Sequence, residues 1–324
     1  MNKKKLVFLL CAFLIMMPLA AGCSKHSRKA GDADTASGDE AKLILNNYGR
    51  EVVIEKIPQK VLTLGPNCSE LFVALGLVDK VIGNSLDNHS RGPLPEYAAD
   101  YAKIPELNYG NATRERVIGS GADFIYGIDW EFGGDGLDIE ELQAYGITVY
   151  MNKAATFTEA YQEISDLGKI FGIEDKAAAF IADQQARIAA VEKKVAGQEP
   201  LKVLVYDFGG EGVYTCGGTN FETLLIEKAG GQNIFADITD KQWTMVSYEE
   251  VLQRNPDVIV VHDYDVPSLA EKIKAIKNDP GLSQLNCVKK ERFVPITLES
   301  VLPGPRMAYA VELLVRGFYP ELFE

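Results

Sequence analysis

The residues best suited to hold a ligand are aromatic, and they gather in loops rather than in periodic apolar runs. The segments "SLDNHSRGP", "ELNYGN" and "GIDWEFGGDG" carry His89, Arg91, Tyr109, Trp130 and Phe132. Later, "DFGGEGVYTCGG", "DKQWTMVS", "VHDYD" and "ESVLPGPR" carry Tyr214, Trp243, Tyr264 and Arg306. Aromatic walls with a few cations suit a flat or amphipathic anionic chelate, whose apolar rim is buried while guanidinium groups clamp its oxygens. Each residue also has a plainer use. Arg306 can open the last helix, and His89 or His262 can be an ordinary polar contact rather than an axial ligand to haem iron.

Catalytic constellations are missing from the same sequence. "GGEGVYTCGGTNFE" is glycine-rich but lacks the lysine and hydroxyl of a P-loop and the spacing of GxGxxG after its strand. Neither a Ser/His/Asp order nor HExxH occurs, and nothing brings Cys216 to His262 as nucleophile and base. An enzyme is a rival reading, and a ligand sensor or surface adhesin on the same scaffold is another. The chain has three histidines, one of them His26 near the N-terminus, too few for the shell of a bare zinc or manganese ion. No resident metal or cofactor is expected; any metal arrives already wrapped in a chelator.

The N-terminus says where these loops work. Lys3 to Lys5 precede a run of apolar residues that ends in small ones at Gly22, the pattern of a secretory signal. Pro18 interrupts the run, which is shorter than the roughly 20 residues of a membrane span. Ala20, Ala21 and Gly22 directly before Cys23 resemble the lipobox of bacterial lipoproteins, in which that cysteine is acylated and becomes the mature N-terminus. Residues 23–42 carry no large apolar side chain and read as a solvated tether. Loss of residues 1–22 takes the formal charge from −13 to −16, which argues against nucleic acid as a partner. Cys68, Cys216 and Cys287 remain, an odd number without CxxC, so buried or loop thiols are expected rather than a disulfide framework.

The loops need a scaffold, and its elements are legible. β-Branched runs at 60–65, 80–85, 123–128 and 147–151, then at 202–208, 257–263 and 292–297, alternate with helical patterns. That alternation predicts an α/β fold with mainly parallel sheets, whose ligands sit beyond the carboxyl ends of the strands. Residues 156–198 read as one linking helix with a candidate break near Gly172. The expected organisation is a first lobe over 43–155, the linking helix, and a second lobe over 199–324. The lobes also echo each other. "ERVIGSGADFIYG" aligns with "EEVLQRNPDVIVV", pairing Val117 with Val251 and Asp123 with Asp257, and "CSELFVALG" aligns with "NFETLLIEKAG", pairing Glu70 with Glu222.

Read in order, "PQKVLTLGPNCSELFVALGLVDKVIGNS", the linking helix, "GGTNFETLLIEKAGGQNIFAD", "WTMVSYEEVLQRNPDVIVV" and "PGPRMAYAVELLVRGFYPELF" resemble the substrate-binding lipoproteins of ABC importers. The similarity is to the helical-backbone class that serves ferric siderophores, haem and cobalamin. It implies two Rossmann-like lobes joined by one long rigid α-helix, with ligand held between them. Its expected partners are a permease dimer with ATPase subunits, a metal chelate, ferric siderophore first with haem and cobalamin behind, and the membrane through a lipid anchor on its outer face. The receptor is expected to be a monomer. The resemblance further implies that exposed first-turn carboxylates on the two lobes, matched here by Glu70 and Glu222, dock to arginines of the permease. Alternatively, each simply favours its own helix dipole.

Overall fold

The structure is a computed structural model that describes residues 42–134 and 136–324. The expected signal segment, Cys23 and the tether up to residue 41 lie outside the described residues. A hairpin of β1 (Leu43–Asn47) and β2 (Arg50–Ile54) opens the first lobe. It continues as β3 (Val61–Leu64), α1 (Pro66–Ala74), β4 (Val81–Ser85), α2 (Ala98–Tyr101), α3 (Arg114–Gly119), β5 (Phe124–Ile128), α4 (Ile139–Ala144) and β6 (Thr148–Asn152). The four strands β4-β3-β5-β6 form one parallel sheet. Every residue of β3 and β5 is buried, as expected where helices cover both faces of a parallel sheet.

The linking segment is two helices rather than one, α5 (Phe157–Phe171) and α6 (Glu174–Val195). Thr156 caps α5 by accepting from the Glu159 amide, and Gly172 ends it at φ 66°, a left-handed conformation that glycine adopts freely. The 22 residues of α6 give a stiff rod. It is tied to the last helix by Arg187, which donates to both carboxylate oxygens of Glu312 at 2.8 and 2.7 Å.

The second lobe runs β7 (Leu201–Tyr206), β8 (Phe208–Gly209), β9 (Val213–Cys216), α7 (Phe221–Lys228), β10 (Gly231–Asn233), β11 (Trp243–Val246) and α8 (Tyr248–Arg254). It ends with β12 (Val258–Asp263), α9 (Leu269–Asn278), α10 (Asn286–Lys289), β13 (Phe293–Thr297), α11 (Leu298–Val301) and α12 (Met307–Phe318). Its parallel sheet, β10-β7-β12-β13, has the same strand order as the first. The echo is therefore architectural. Asp123, just before β5, accepts from the Gln59 and Lys60 amides, while Asp257, just before β12, accepts from the Lys202 amide at 2.8 Å. Each aspartate stitches the start of its strand to the neighbouring strand.

All seven strands expected from the sequence are present. The first hairpin, the three-residue β10 and the small antiparallel sheet β11-β9-β8 were not expected; β8 and β9 interrupt a glycine-rich loop. Cys68, Cys216 and Cys287 are free and buried.

Candidate functional site

The lobes face each other across the carboxyl ends of their strands, and two adjoining cavities lie between them. The larger, about 450 Å³, is lined by His89, Asn111 and Trp130 from the first lobe, and mainly by Asp207, Phe208, Tyr214, Trp243 and Tyr264 from the second. The smaller, about 240 Å³, shares Trp130, Trp243 and Leu302 and adds polar groups such as Asn152, Lys153, Asn220 and Gln242. Trp130, two residues past the end of β5, stands 41% exposed, an unsatisfied aromatic surface that a ligand can cover.

The second-lobe wall is a stack. The Tyr214 ring lies 4.8 Å from Phe208 and 5.8 Å from Trp243, nearly parallel to both. β9 pairs with β8 and β11, which is what places these three rings in register. His89 and Tyr264 stack across the lobes at 6.0 Å. Burial lowers the His89 pKa, keeping the imidazole neutral, and its Nδ1 meets Asn88 Oδ1 at 2.9 Å.

Of the nine expected ligand-binding residues, five line the cleft: Trp130, Trp243, Tyr214, Tyr264 and His89. Tyr109 and Arg91 instead span the lobes. The Tyr109 hydroxyl donates to Asp265 at 2.7 Å, and Arg91 Nε to Asp263 at 2.8 Å. Phe132 packs into the first-lobe core beside Gly127, so its expected place in the cleft is corrected. Asp207 and Phe208 were missed, although their position directly after β7 marks them as strand-end residues.

Arg306 is corrected as well. It is buried rather than presented to a ligand, donating to Glu70 through Nε at 2.8 Å and through Nη2, and to Glu299 at 3.0 Å. Its Nη2 also reaches the Gly92 carbonyl at 2.7 Å, so the triad joins the lobes. Burial alone would lower the pKa of Arg306, but the two carboxylates outweigh it and raise it.

Glu70 and Glu222 are not exposed: 1% and 0% of their surfaces reach solvent. Glu70 is the fifth residue of α1, past the first turn, and faces Arg306. Glu222 lies beneath the second-lobe wall, where both carboxylate oxygens sit 3.0 Å from His262 Nε2. His262 Nδ1 meets Asp207 Oδ1 at 3.1 Å, so both ring nitrogens are taken and neither is free for iron. Burial opposes charge on His262, yet the two carboxylates carry its pKa up to about 9. Burial likewise pushes Asp207 upward, but His262, Lys272 and Tyr264 prevail and hold it below the usual carboxylate range. Lys272 completes the cluster. It donates to the His262 carbonyl at 2.8 Å, lies 4.0 Å from Asp207 and sits over the Tyr264 ring.

With Arg91 and Arg306 bound to protein carboxylates, Lys153 is the one cation lining either cavity among the described residues. The arrangement can enclose a large, flat, amphipathic molecule but offers no arginine clamp.

Comparison with known proteins gives this geometry a family. Residues 61–298 match the model of the periplasmic binding protein family. The chain is 27% identical over 99% of its length to the ABC transporter substrate-binding lipoprotein YvrC of Bacillus subtilis, covering 99% of that protein. It is 27% identical to the vitamin B12-binding protein of Photorhabdus laumondii, with 68% of this chain and 75% of the relative aligned. A solved ABC-type Fe3+-hydroxamate transport protein from Saccharomonospora viridis superposes with a TM-score of 0.71 at 28% identity, covering 85% of this chain and 98% of the other.

Proposed function

As the chain belongs to the periplasmic binding protein family, we propose that it is the lipid-anchored, extracytoplasmic receptor of an ABC importer and that its cleft takes a corrinoid. The observation that carries this reading is the combination of stacked aromatic walls with arginines already spent on protein carboxylates. An anionic catecholate or a haem dipropionate would need more cations than the single Lys153 that lines the cavities, whereas a corrinoid presents a broad apolar face rimmed with neutral amides. The vitamin B12-binding relatives support the same ligand. Among ferric siderophores, the first expectation from sequence, the anionic catecholates therefore move behind it. No bond is made or broken by the receptor, which works as a monomer with a permease dimer and its ATPase subunits.

Docking falls to other acids than Glu70 and Glu222. Glu115, in the first turn of α3, and Glu249, in the first turn of α8, are exposed and hold matching places in the echo that pairs Val117 with Val251.

The chain's two tryptophans both line the cleft, so intrinsic fluorescence reports on it directly. Absorbance-corrected titration with cyanocobalamin should give saturable quenching, weakened by Trp130→Ala and Trp243→Ala; no saturable response overturns the corrinoid reading. A haem reading has one observation in its favour, the neutral His89 at the cavity wall. It requires a Soret shift with haemin that His89→Ala abolishes.

A further inference from the structure

Beneath the aromatic wall lies a chain of four buried charged groups that ligand enclosure alone does not require. Glu222, His262, Asp207 and Lys272 run from the core of the second lobe to the cavity surface, and Asp207 is the member that lines the cavity. Two carboxylates face an imidazolium and an ammonium, so the set is balanced without help from solvent. The cost of burying it is offset only by the pairing of every member. Lys272 is fixed in turn by the His262 carbonyl and the Tyr264 ring.

A carboxyl group left alone in an aromatic pocket would take up a proton and serve as donor or acceptor indifferently. Here His262 Nδ1 meets Asp207 Oδ1 at 3.1 Å, and Lys272 Nζ lies 4.0 Å from the same oxygen. Asp207 is thereby fixed as an acceptor.

We infer that Asp207, held by the His262–Glu222 relay and Lys272, is a specificity residue of the cleft: it accepts an N–H from a neutral amide of the ligand and rejects ligands that present a carboxylate there. This inference rests on the corrinoid reading. Acceptance favours the amide through a hydrogen bond to a charged group, and rejection follows because two carboxylates would meet in a site with little water. Such a wall discriminates by repulsion as much as by attraction. It would separate an intact corrinoid from derivatives in which one peripheral amide has been hydrolysed.

The test uses the full chain and its Asp207→Asn variant, titrated by tryptophan quenching with cyanocobalamin and, separately, its b-, d- and e-monocarboxylic acids. Wild type should bind cyanocobalamin about tenfold or more tightly than at least one monoacid, the scale expected of like-charge contact in a desolvated site. In Asp207→Asn that ratio should collapse to within about threefold, while cyanocobalamin is still bound, because the amide side chain can meet either ligand group. Wild type that treats all four ligands alike, or a ratio unchanged in the variant, overturns the inference while leaving the corrinoid reading intact. If cyanocobalamin fails to bind wild type, the corrinoid reading falls. The wall is then tested alone with ferrioxamine B, which ends in an ammonium, against its N-succinyl derivative, which ends in a carboxylate. A preference for the ammonium form that is lost in Asp207→Asn sustains the wall; no preference, or no binding of either, overturns it.

Discussion

Glu70 and Glu222 are paired in the sequence echo between the lobes, yet each is buried against a different cation. Glu70 meets Arg306, whose guanidinium also holds Glu299 and the Gly92 carbonyl and so fastens one lobe to the other. Glu222 meets His262, which passes the contact to Asp207 at the wall of the cleft and stays within its own lobe. The arginine does not titrate in the accessible range and offers several donors in a fixed fork, which suits a permanent joint. The histidine has one nitrogen for each neighbour and a charge that depends on its surroundings, which suits the setting of a binding surface. Each lobe thus holds one of the two paired acids buried, and the cation opposite each one decides whether it serves assembly or recognition.

The largest expected effect comes from breaking the joint. Arg306→Ala strands two buried carboxylates and should cost about 3 to 5 kcal/mol of stability in urea unfolding. A loss below about 1 kcal/mol would mean that water or a rearranged side chain replaces the guanidinium.

The cluster of Glu222, His262, Asp207 and Lys272 should show itself through pH. His262 rises to about 9 in the folded chain from an ordinary value of 6.5, so its contribution is complete below pH 6.5 and declines as pH climbs toward 9. Lys272, pulled down to about 8 by burial, acts in the opposite sense above that value. The clean interval is therefore pH 6.5 to 8, where stability should fall by about 2 kcal/mol. His262→Gln should flatten this slope, and Arg306→Ala should not, once its overall loss is allowed for. A flat wild-type profile would contradict the charged imidazolium.

The smallest effect on stability belongs to the exposed acids. Glu115→Ala with Glu249→Ala should leave unfolding within about 0.5 kcal/mol of wild type and leave cyanocobalamin binding unchanged, while uptake into cells is lost. Retained uptake would move the docking surface elsewhere.

How much of this was legible beforehand follows from the range of each signal. β5 and β12 were visible as apolar runs, and Trp130 and Trp243 as aromatic residues without apolar periodicity around them, all local properties. The partnership of Glu70 with Arg306 spans 236 positions, and no local pattern announces it. Both residues read as surface groups until the fold places one above the other. His262 did carry a hint: a histidine inside "DVIVVHD" sits in a strand buried on both faces, where each ring nitrogen must find a partner. Phe132 misled because "DWEFGG" is a loop segment, yet its phenylalanine turns back under β5 while the tryptophan stays at the cleft.

The central claim is that a cleft whose arginines are already engaged takes a neutral, amide-rimmed chelate. The most direct measurement is a competition at equilibrium, with radiolabelled cyanocobalamin bound to the full chain and ferric enterobactin or haemin added in increasing excess. Retention of cyanocobalamin against both anionic competitors at equal concentration is the predicted result. Displacement by either one at equal or lower concentration would contradict it, and would mean that the cleft finds its cations somewhere other than Arg91 and Arg306.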